Sequence, residues 1–289
     1  MSPQLRSFDH SAFPPARVRE ERDGTISVGV PARECADTIA PIVHTLMQLR
    51  EAGVIDQVAV IDAGSADGTA ELAAAAGGEV YQQAELLPER GPVLGKGDAM
   101  WRALTILRGD VVCFLDGDSE RLGPHFACGL AGAVACEPGI RFAKAFYRRP
   151  FRAGAVELPE GGGRVNQLMA RPLLRQFFPE LAEVRQPLAG EIAGRRDLLE
   201  RLPFATGYAV EIAMLIDAYR EVGLDGLAQV DLDVRQNRHQ ALSALGRMAD
   251  AVLGAVAARL EREGRLAGVD ATPPVERPPL ATLAGSPGS

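Results

Sequence analysis

The sequence predicts an α/β chain whose mostly parallel sheet is flanked by helices in the Rossmann-like manner. Three observations carry this. Short apolar, β-rich runs alternate with helical patterns through the first half of the chain. Helical stretches between successive strand-like runs force right-handed crossovers, the mark of a parallel sheet. Acidic or glycine-containing turns follow those runs, at the strand ends where open α/β sheets bind ligands.

Taken in order, residues 1–24 read as an extended N-terminal arm with paired Pro14 and Pro15. Residues 25–30 (TISVGV) form a strand candidate, and 37–53 form a helix with Ile39, Ile42, Val43, Leu46 and Leu49 at helical spacing. A second strand spans 57–61, an Ala-rich helix 67–77, a third strand 79–82, a helix 96–108 and a fourth strand 110–115. Beyond it the pattern loosens. Residues 140–147 alternate as a half-buried strand, and Gly161–Gly163 open a helix over 165–178. Residues 186–193 are a loop or short strand, 206–222 a helix with Gly207 just before it, and 226–234 a strand. An amphipathic helix follows from about 239 to 264, with Leu242, Leu245, Met248, Val252, Leu253 and Val256 as its apolar stripe. Such a stripe is expected to pack into the core. The Pro-rich tail from 268 is expected to be disordered. The organisation expected is therefore an arm (1–24), a nucleotide-binding half (25–120), a second half that completes the site and carries the long helix (121–267), and a tail (268–289).

Composition narrows the function. The 31 Lys+Arg against 38 Asp+Glu give a net charge of −7, which disfavours a general nucleic-acid binder. No apolar run is long enough to span a bilayer, and the N-terminus is polar. The four cysteines form no CxxC pair, so a reducing, cytoplasmic setting is expected.

Chemistry should sit after the strands. Asp116-Gly117-Asp118 directly follows VVCFL. Carboxylates placed there suit a hard divalent cation, which neutralises charge on a departing diphosphate. The DG dipeptide is also a common turn signal. Pro31, Ala32 and Glu34 follow the first strand, and Asp62 follows the second as a contact for a nucleotide ribose or base. Asp67 reads as a helix cap. Lys96, in GPVLGKG, is not in a P-loop, but a lysine at a helix N-terminus suits phosphate. Gly163 and Arg164 resemble an anion nest, with Asn166 as one more donor. Arg235, Asn237, Arg238 and His239 end the last strand and suit an anion or a metal. Glu191 and Glu211 lie in apolar stretches, with Arg195 or Arg196 as candidate partners for a buried carboxylate. A dehydrogenase is disfavoured because the first strand lacks GxGxxG, and a nucleotidyltransferase because PARECADT has no glycine.

With these residues in hand, the sequence resembles the glucosyl-3-phosphoglycerate synthases and, somewhat less, the mannosyl-3-phosphoglycerate synthases. The resemblance runs from about Ser27 to Met248 through VGVPAR, VIDAGSADGTAE, GPVLGKGDAMWRAL, FLDGDSE, KAFYRRP, GGGRVNQLMARPLL and QPLAGEIAGRRDLLERLPFATGYAVEIAMLID. It implies a GT-A fold and a retaining glycosyltransferase that moves a hexose, glucose from UDP-glucose, to a small phosphorylated acceptor such as 3-phosphoglycerate. It implies that Asp116 and Asp118 carry Mg²⁺ or Mn²⁺ and the sugar-nucleotide diphosphate, with Gly117 between them. Pro31, Ala32, Asp62 and Lys96 would hold the nucleotide. Leu188, Glu191 and Glu211 would line the sugar pocket, and Gly163 and Arg164 would grip the acceptor phosphate. Where the family has H-R-N, this chain has Asn237-Arg238-His239, which puts Asn237 and His239 on the metal and acceptor side with Arg235. Asn166 stands where the family generally has Thr. Asp118, Glu211 and Lys96 would act on the reacting groups. A homodimer through the last helix is also implied. The alternatives are the same donor chemistry with another acceptor, or a nucleotide-sugar-binding protein with weak catalysis.

Overall fold

The computed structural model describes residues 4–149, 151–153, 156–158, 162–235, 242–267 and 273–283. Among them the chain runs β1 (Arg6–Asp9), α1 (Pro15–Glu21), β2 (Ile26–Ala32), α2 (Ala36–Glu51), β3 (Gln57–Asp62), α3 (Thr69–Ala75) and β4 (Glu79–Gln82). There follow α4 (Lys96–Ala103), β5 (Val111–Phe114), α5 (Pro124–Ala135), β6 (Phe142–Arg148), and the small hairpin of β7 (Phe151–Ala153) and β8 (Val156–Leu158). A π-helical turn (Asn166–Ala170) then leads into α6 (Arg171–Phe177). The rest comprises β9 (Ile192–Arg195), α7 (Arg196–Arg201), β10 (Phe204–Ala205), α8 (Val210–Val222), β11 (Leu227–Val234), α9 (Leu242–Arg262) and β12 (Glu276–Arg277).

The strands of the main sheet lie in the order β1-β11-β6-β9-β5-β2-β3-β4. Neighbours are parallel except β9, which is antiparallel to both β5 and β6. The C-terminal ends of β2, β3, β5, β6 and β11 therefore share one rim with the N-terminal end of β9. This single reversal brings Glu191 beside Asp116. The sheet is buried on both faces, by α2 and α5 on one side and by α4, α8 and α9 on the other. Such two-sided burial explains the continuous apolar runs of β2, β3 and β5.

The fold class agrees with the sequence reading, and three local expectations are corrected. Residues 6–9 are not an extended arm: they add a parallel edge strand to β11, and Pro15 opens a helix, the position where its missing N–H costs nothing. Helix α5 was not anticipated because almost every side chain in it is buried, so no amphipathic period marks it. Its Gly129 and Gly132 let Leu232 and Phe13 approach closely.

The third correction concerns the tail. Residues 273–283 form a strap: β12 pairs antiparallel with β10, and the Trp101 indole N–H donates to the Pro278 carbonyl at 2.9 Å. Arg277 grips both oxygens of the fully buried Asp98 at 2.9 and 2.7 Å. Asp98 also accepts from Arg102 and from the Leu94 N–H. The rest of the tail expectation, at 268–272 and 284–289, lies outside the described residues.

Helix α9 buries Val252 and Val256, as core packing requires, and leaves Leu242 exposed. The cysteines are unpaired. Among the described residues no helix is long and apolar enough to cross a membrane.

Candidate functional site

The rim collects most of the residues singled out above. Ala32 and Asp62 end adjacent strands and are register partners, with Pro31 opposite Ile61. The buried Asp62 carboxylate accepts from the Gly64 and Ser65 N–H groups and the Ser65 hydroxyl, which folds the 62–65 turn. Asp67 is not the N-cap of α3, which is Gly68, but from the preceding position it ties two helix starts together: Thr69 of α3 and the Ala36 N–H of α2 both donate to it. Glu34 adopts a positive φ of 50° and takes the Ala66 N–H, joining the two loops. Gly117 donates to the Pro31 carbonyl and accepts from the Thr38 hydroxyl, so the acidic turn is tied to the end of β2.

A charged cluster forms the centre. Lys96 at the start of α4 meets Asp116 after β5 and Glu211 in the first turn of α8, the latter at 3.1 Å. The two helix starts converge because Gly97 offers no side chain; a Cβ there would strike the Ala205 carbonyl. Arg235, at the end of β11, is almost wholly buried. Its Nη2 lies 2.9 Å from both Asp116 Oδ2 and Asp118 Oδ1. Its Nη1 lies 2.7 Å from Glu191 Oε1 and 2.8 Å from the Tyr147 hydroxyl, which in turn donates to Glu191 Oε2. The expected partners of Glu191 are corrected here. Arg195 pairs with Asp23, and Arg196 with Glu200, because β9 carries both to the opposite end of the sheet.

The electrostatics follow from burial and pairing. Burial alone would push the Lys96 ammonium down, but Asp116 and Glu211 outweigh it and hold its pKa well above the ordinary value. Burial would raise Asp116, yet Lys96 and Arg235 keep its carboxyl well below the usual range. Burial leaves Glu191 raised despite Arg235. Lys144, in the centre of β6, is 1% exposed; dehydration pulls its pKa down to about 8. Asp116, Asp118, Glu191 and Glu211 thus share one corner of the rim with Lys96, Lys144 and Arg235.

Segment 185–191 closes one side. The Lys144 ammonium donates to the Ala189 carbonyl at 2.7 Å, and the Ala145 N–H to the Glu191 carbonyl at 3.1 Å. A side chain at Gly190 would collide with Asp116 and Lys96, so the backbone itself is pressed against the cluster. Leu188 is half-buried in this segment. Gly163, with φ of 71°, and Arg164 precede the π-helical turn, while Gly161 lies outside the described residues. Asn166 is buried, and its carboxamide faces the 185–188 backbone rather than open space. Asn237, Arg238 and His239 lie outside the described residues.

Two members of the cluster escaped the sequence reading, Lys144 and Tyr147. The alternation of IRFAKAFY suggested a half-buried strand, in which a lysine is unremarkable. In a strand buried on both faces the same lysine is costly and has a reason to be there.

The residues fit a divalent cation. Two hard carboxylate oxygens, one from each aspartate, converge on a single point that a cationic nitrogen now marks at 2.9 Å from both. Asp118 is 63% exposed and so accessible to a metal–diphosphate entering from solvent.

Residues 27–122 match the family model for glycosyl transferase family 2. With this fold and this acidic rim, the protein is a glycosyltransferase. It is 42% identical to the glucosyl-3-phosphoglycerate synthase of Petrotoga mobilis, over 90% of this chain and 82% of that protein. It is 43% identical to that of Mycobacterium tuberculosis, over 81% of this chain and 73% of that protein. The chain belongs to the glucosyl-3-phosphoglycerate synthase family. Its structure resembles mannosyl-3-phosphoglycerate synthase from Rubrobacter xylanophilus, with 44% identity, a TM-score of 0.88 and 96% of each chain covered. It also resembles the M. tuberculosis glucosyl-3-phosphoglycerate synthase crystallised with Mn²⁺, UDP-glucose and phosphoglyceric acid, with 38% identity and a TM-score of 0.84, covering 96% of this chain and 99% of that one.

Proposed function

We propose that this protein transfers glucose from UDP-glucose to 3-phosphoglycerate with retention of the anomeric configuration. The observation that carries the reading is the convergence of Asp116, Asp118, Lys96 and Glu211 on one strand-end corner. The crystallisation of a relative with Mn²⁺, UDP-glucose and phosphoglyceric acid supports it.

Asp116 and Asp118 would hold Mg²⁺ or Mn²⁺, which when bound supplies Lewis-acid stabilisation of the departing diphosphate. Pro31, Ala32, Glu34 and Asp62 would flank the nucleotide. Lys96, kept protonated by its carboxylates, adds a fixed positive charge beside the diphosphate, where charge develops as the glycosidic bond breaks. Gly163 and Arg164 would receive the acceptor phosphate. The acceptor hydroxyl attacks from the face that the diphosphate leaves, and a diphosphate oxygen takes its proton. Glu211 is ion-paired with Lys96, which weakens it as a nucleophile for a double displacement. It is better suited to accepting hydrogen bonds from sugar hydroxyls and to stabilising positive charge at the anomeric carbon.

The likeness to a mannosyl-3-phosphoglycerate synthase makes GDP-mannose the second donor to test. Purified protein incubated with UDP-glucose, GDP-glucose or GDP-mannose, 3-phosphoglycerate and Mn²⁺ should yield a hexosyl-phosphoglycerate by mass. Proton NMR should show an α-anomer. No product with any donor, or a β-anomer, would reject the reading.

A further inference from the structure

Asn166 stands in the segment expected to receive the acceptor, two residues after Arg164, yet its side chain serves another loop. Its Oδ1 accepts from the Leu188 N–H at 3.1 Å. Its Nδ2 donates to the Arg185 carbonyl at 3.2 Å. The residue is 6% exposed and begins the π-helical turn 166–170, a local departure from α-helix of a kind frequent at functional sites. Segment 185–191 is otherwise fixed from the sheet. Gln229 accepts from the Arg185 N–H, Lys144 donates to the Ala189 carbonyl, and Ala145 donates to the Glu191 carbonyl. The two Asn166 bonds tie that segment to the Gly163–Arg164 side. The segment then presses Gly190 onto Asp116 and Lys96.

We infer that Asn166 is a positioning residue for the donor sugar: it holds Leu188 and the backbone behind it in register with the Asp116–Lys96 corner, and is not itself a ligand of the acceptor. The inference rests on the proposed reading, with Leu188, the one residue of 188–191 that is not buried, as the side chain that would meet the hexose. Two neutral, part-buried hydrogen bonds to the 185–188 backbone stabilise that register. With Oδ1 and one Nδ2 hydrogen engaged on the loop, the carboxamide keeps only its second Nδ2 hydrogen for any other acceptor. Asn166 would thus transmit the placement of the acceptor segment to the hexose pocket without touching either substrate.

The test is donor binding with no acceptor present, read by calorimetry with Mn²⁺ and either UDP-glucose or UDP. In Asn166→Ala the dissociation constant for UDP-glucose should rise about 5- to 30-fold, the loss expected from two such bonds. That for UDP, which lacks the hexose, should stay within about twofold of the wild-type value. Asn166→Asp keeps the acceptor for Leu188 and sets a carboxylate against the Arg185 carbonyl, so it should weaken UDP-glucose again while leaving UDP alone. Unchanged UDP-glucose binding with a raised KM for 3-phosphoglycerate would make Asn166 an acceptor ligand and overturn the inference. Equal weakening of UDP and UDP-glucose in both variants, with a lowered melting temperature, would also overturn it, since that marks general loss of packing. A wild-type protein that binds UDP but not UDP-glucose would refute the functional reading before any variant is made, and this inference with it.

Discussion

Replacing Lys144 with Met tests the electrostatic account of the site most directly. Lys144 is 1% exposed, and its pKa falls from 10.5 to about 8, chiefly because burial disfavours the ammonium. Each pKa unit corresponds to about 1.4 kcal/mol, so the charged form costs the folded state about 3 kcal/mol at neutral pH. The sign follows from proton binding. Below about pH 8 the amine is protonated in both states and the whole penalty applies. Between about pH 8 and pH 10.5 the unfolded chain holds more protons, so the wild type gains stability as pH rises. Met has no such term. Met also leaves the Ala189 carbonyl without its donor, which costs about 1–3 kcal/mol at all pH values. At about pH 7 these two effects nearly cancel, so Lys144→Met should melt close to the wild type. At about pH 9.5 roughly 2 kcal/mol of the wild-type penalty has gone, and the variant should lag by about 4 °C. Calorimetric melts at the two pH values check this. A stability gap that does not change with pH would refute the depressed pKa, and with it the view that Lys144 is a charge held in the core at a cost. Turnover should fall about tenfold at either pH as the 188–191 backbone loosens.

Asp118→Asn should abolish Mn²⁺-dependent transfer while leaving the melting temperature within about 2 °C, since the side chain is mostly exposed; a normal rate would discard the metal assignment. Arg235→Met strands Glu191 in the core, where it is 0% exposed, and should destabilise the fold by about 3–5 kcal/mol in urea titrations. Restoring stability with Glu191→Gln in the same chain would show that the lost partner is the cause. Arg277→Ala should free the strap, lower the melting temperature and expose the 273–283 segment to protease; persistent protection would show that the Pro278 and Val275 contacts suffice without it.

The parallel sheet was legible because each strand of β2, β3 and β5 is a compact apolar run followed by a polar turn, and both features survive in a one-dimensional reading. The antiparallel β9 was not. IAGR is short and follows a loop, and only the pairing of Ile192 and Ala193 with β5 and β6 makes it a strand. That insertion decides which charges meet Glu191. Sequence neighbours Arg195 and Arg196 were natural candidates, but a strand running the other way carries them to the opposite end of the sheet and leaves Arg235 as the partner. Long-range pairing of this kind leaves no local signal. Asp116, Asp118 and Lys96 were legible for the opposite reason, since a carboxylate or lysine at a strand or helix end is visible in the sequence itself.

The strap links these levels. Helix α4 has only eight residues, too few to be stable alone, and its first residue carries the Lys96 charge. Its remaining turns are held by buried polar contacts. Asp98 is gripped by Arg102 and Arg277, Arg102 donates to the Leu86, Leu87 and Gly91 carbonyls, and Trp101 reaches Pro278. The same strap pairs with β10, immediately before the turn that opens α8 and places Glu211. One segment near the end of the chain thus fixes the starts of both helices whose first turns supply Lys96 and Glu211. A shift of the strap would therefore alter the Lys96–Glu211 separation before it disturbed the sheet, so loss of Arg277 should reach turnover at temperatures where the fold remains intact.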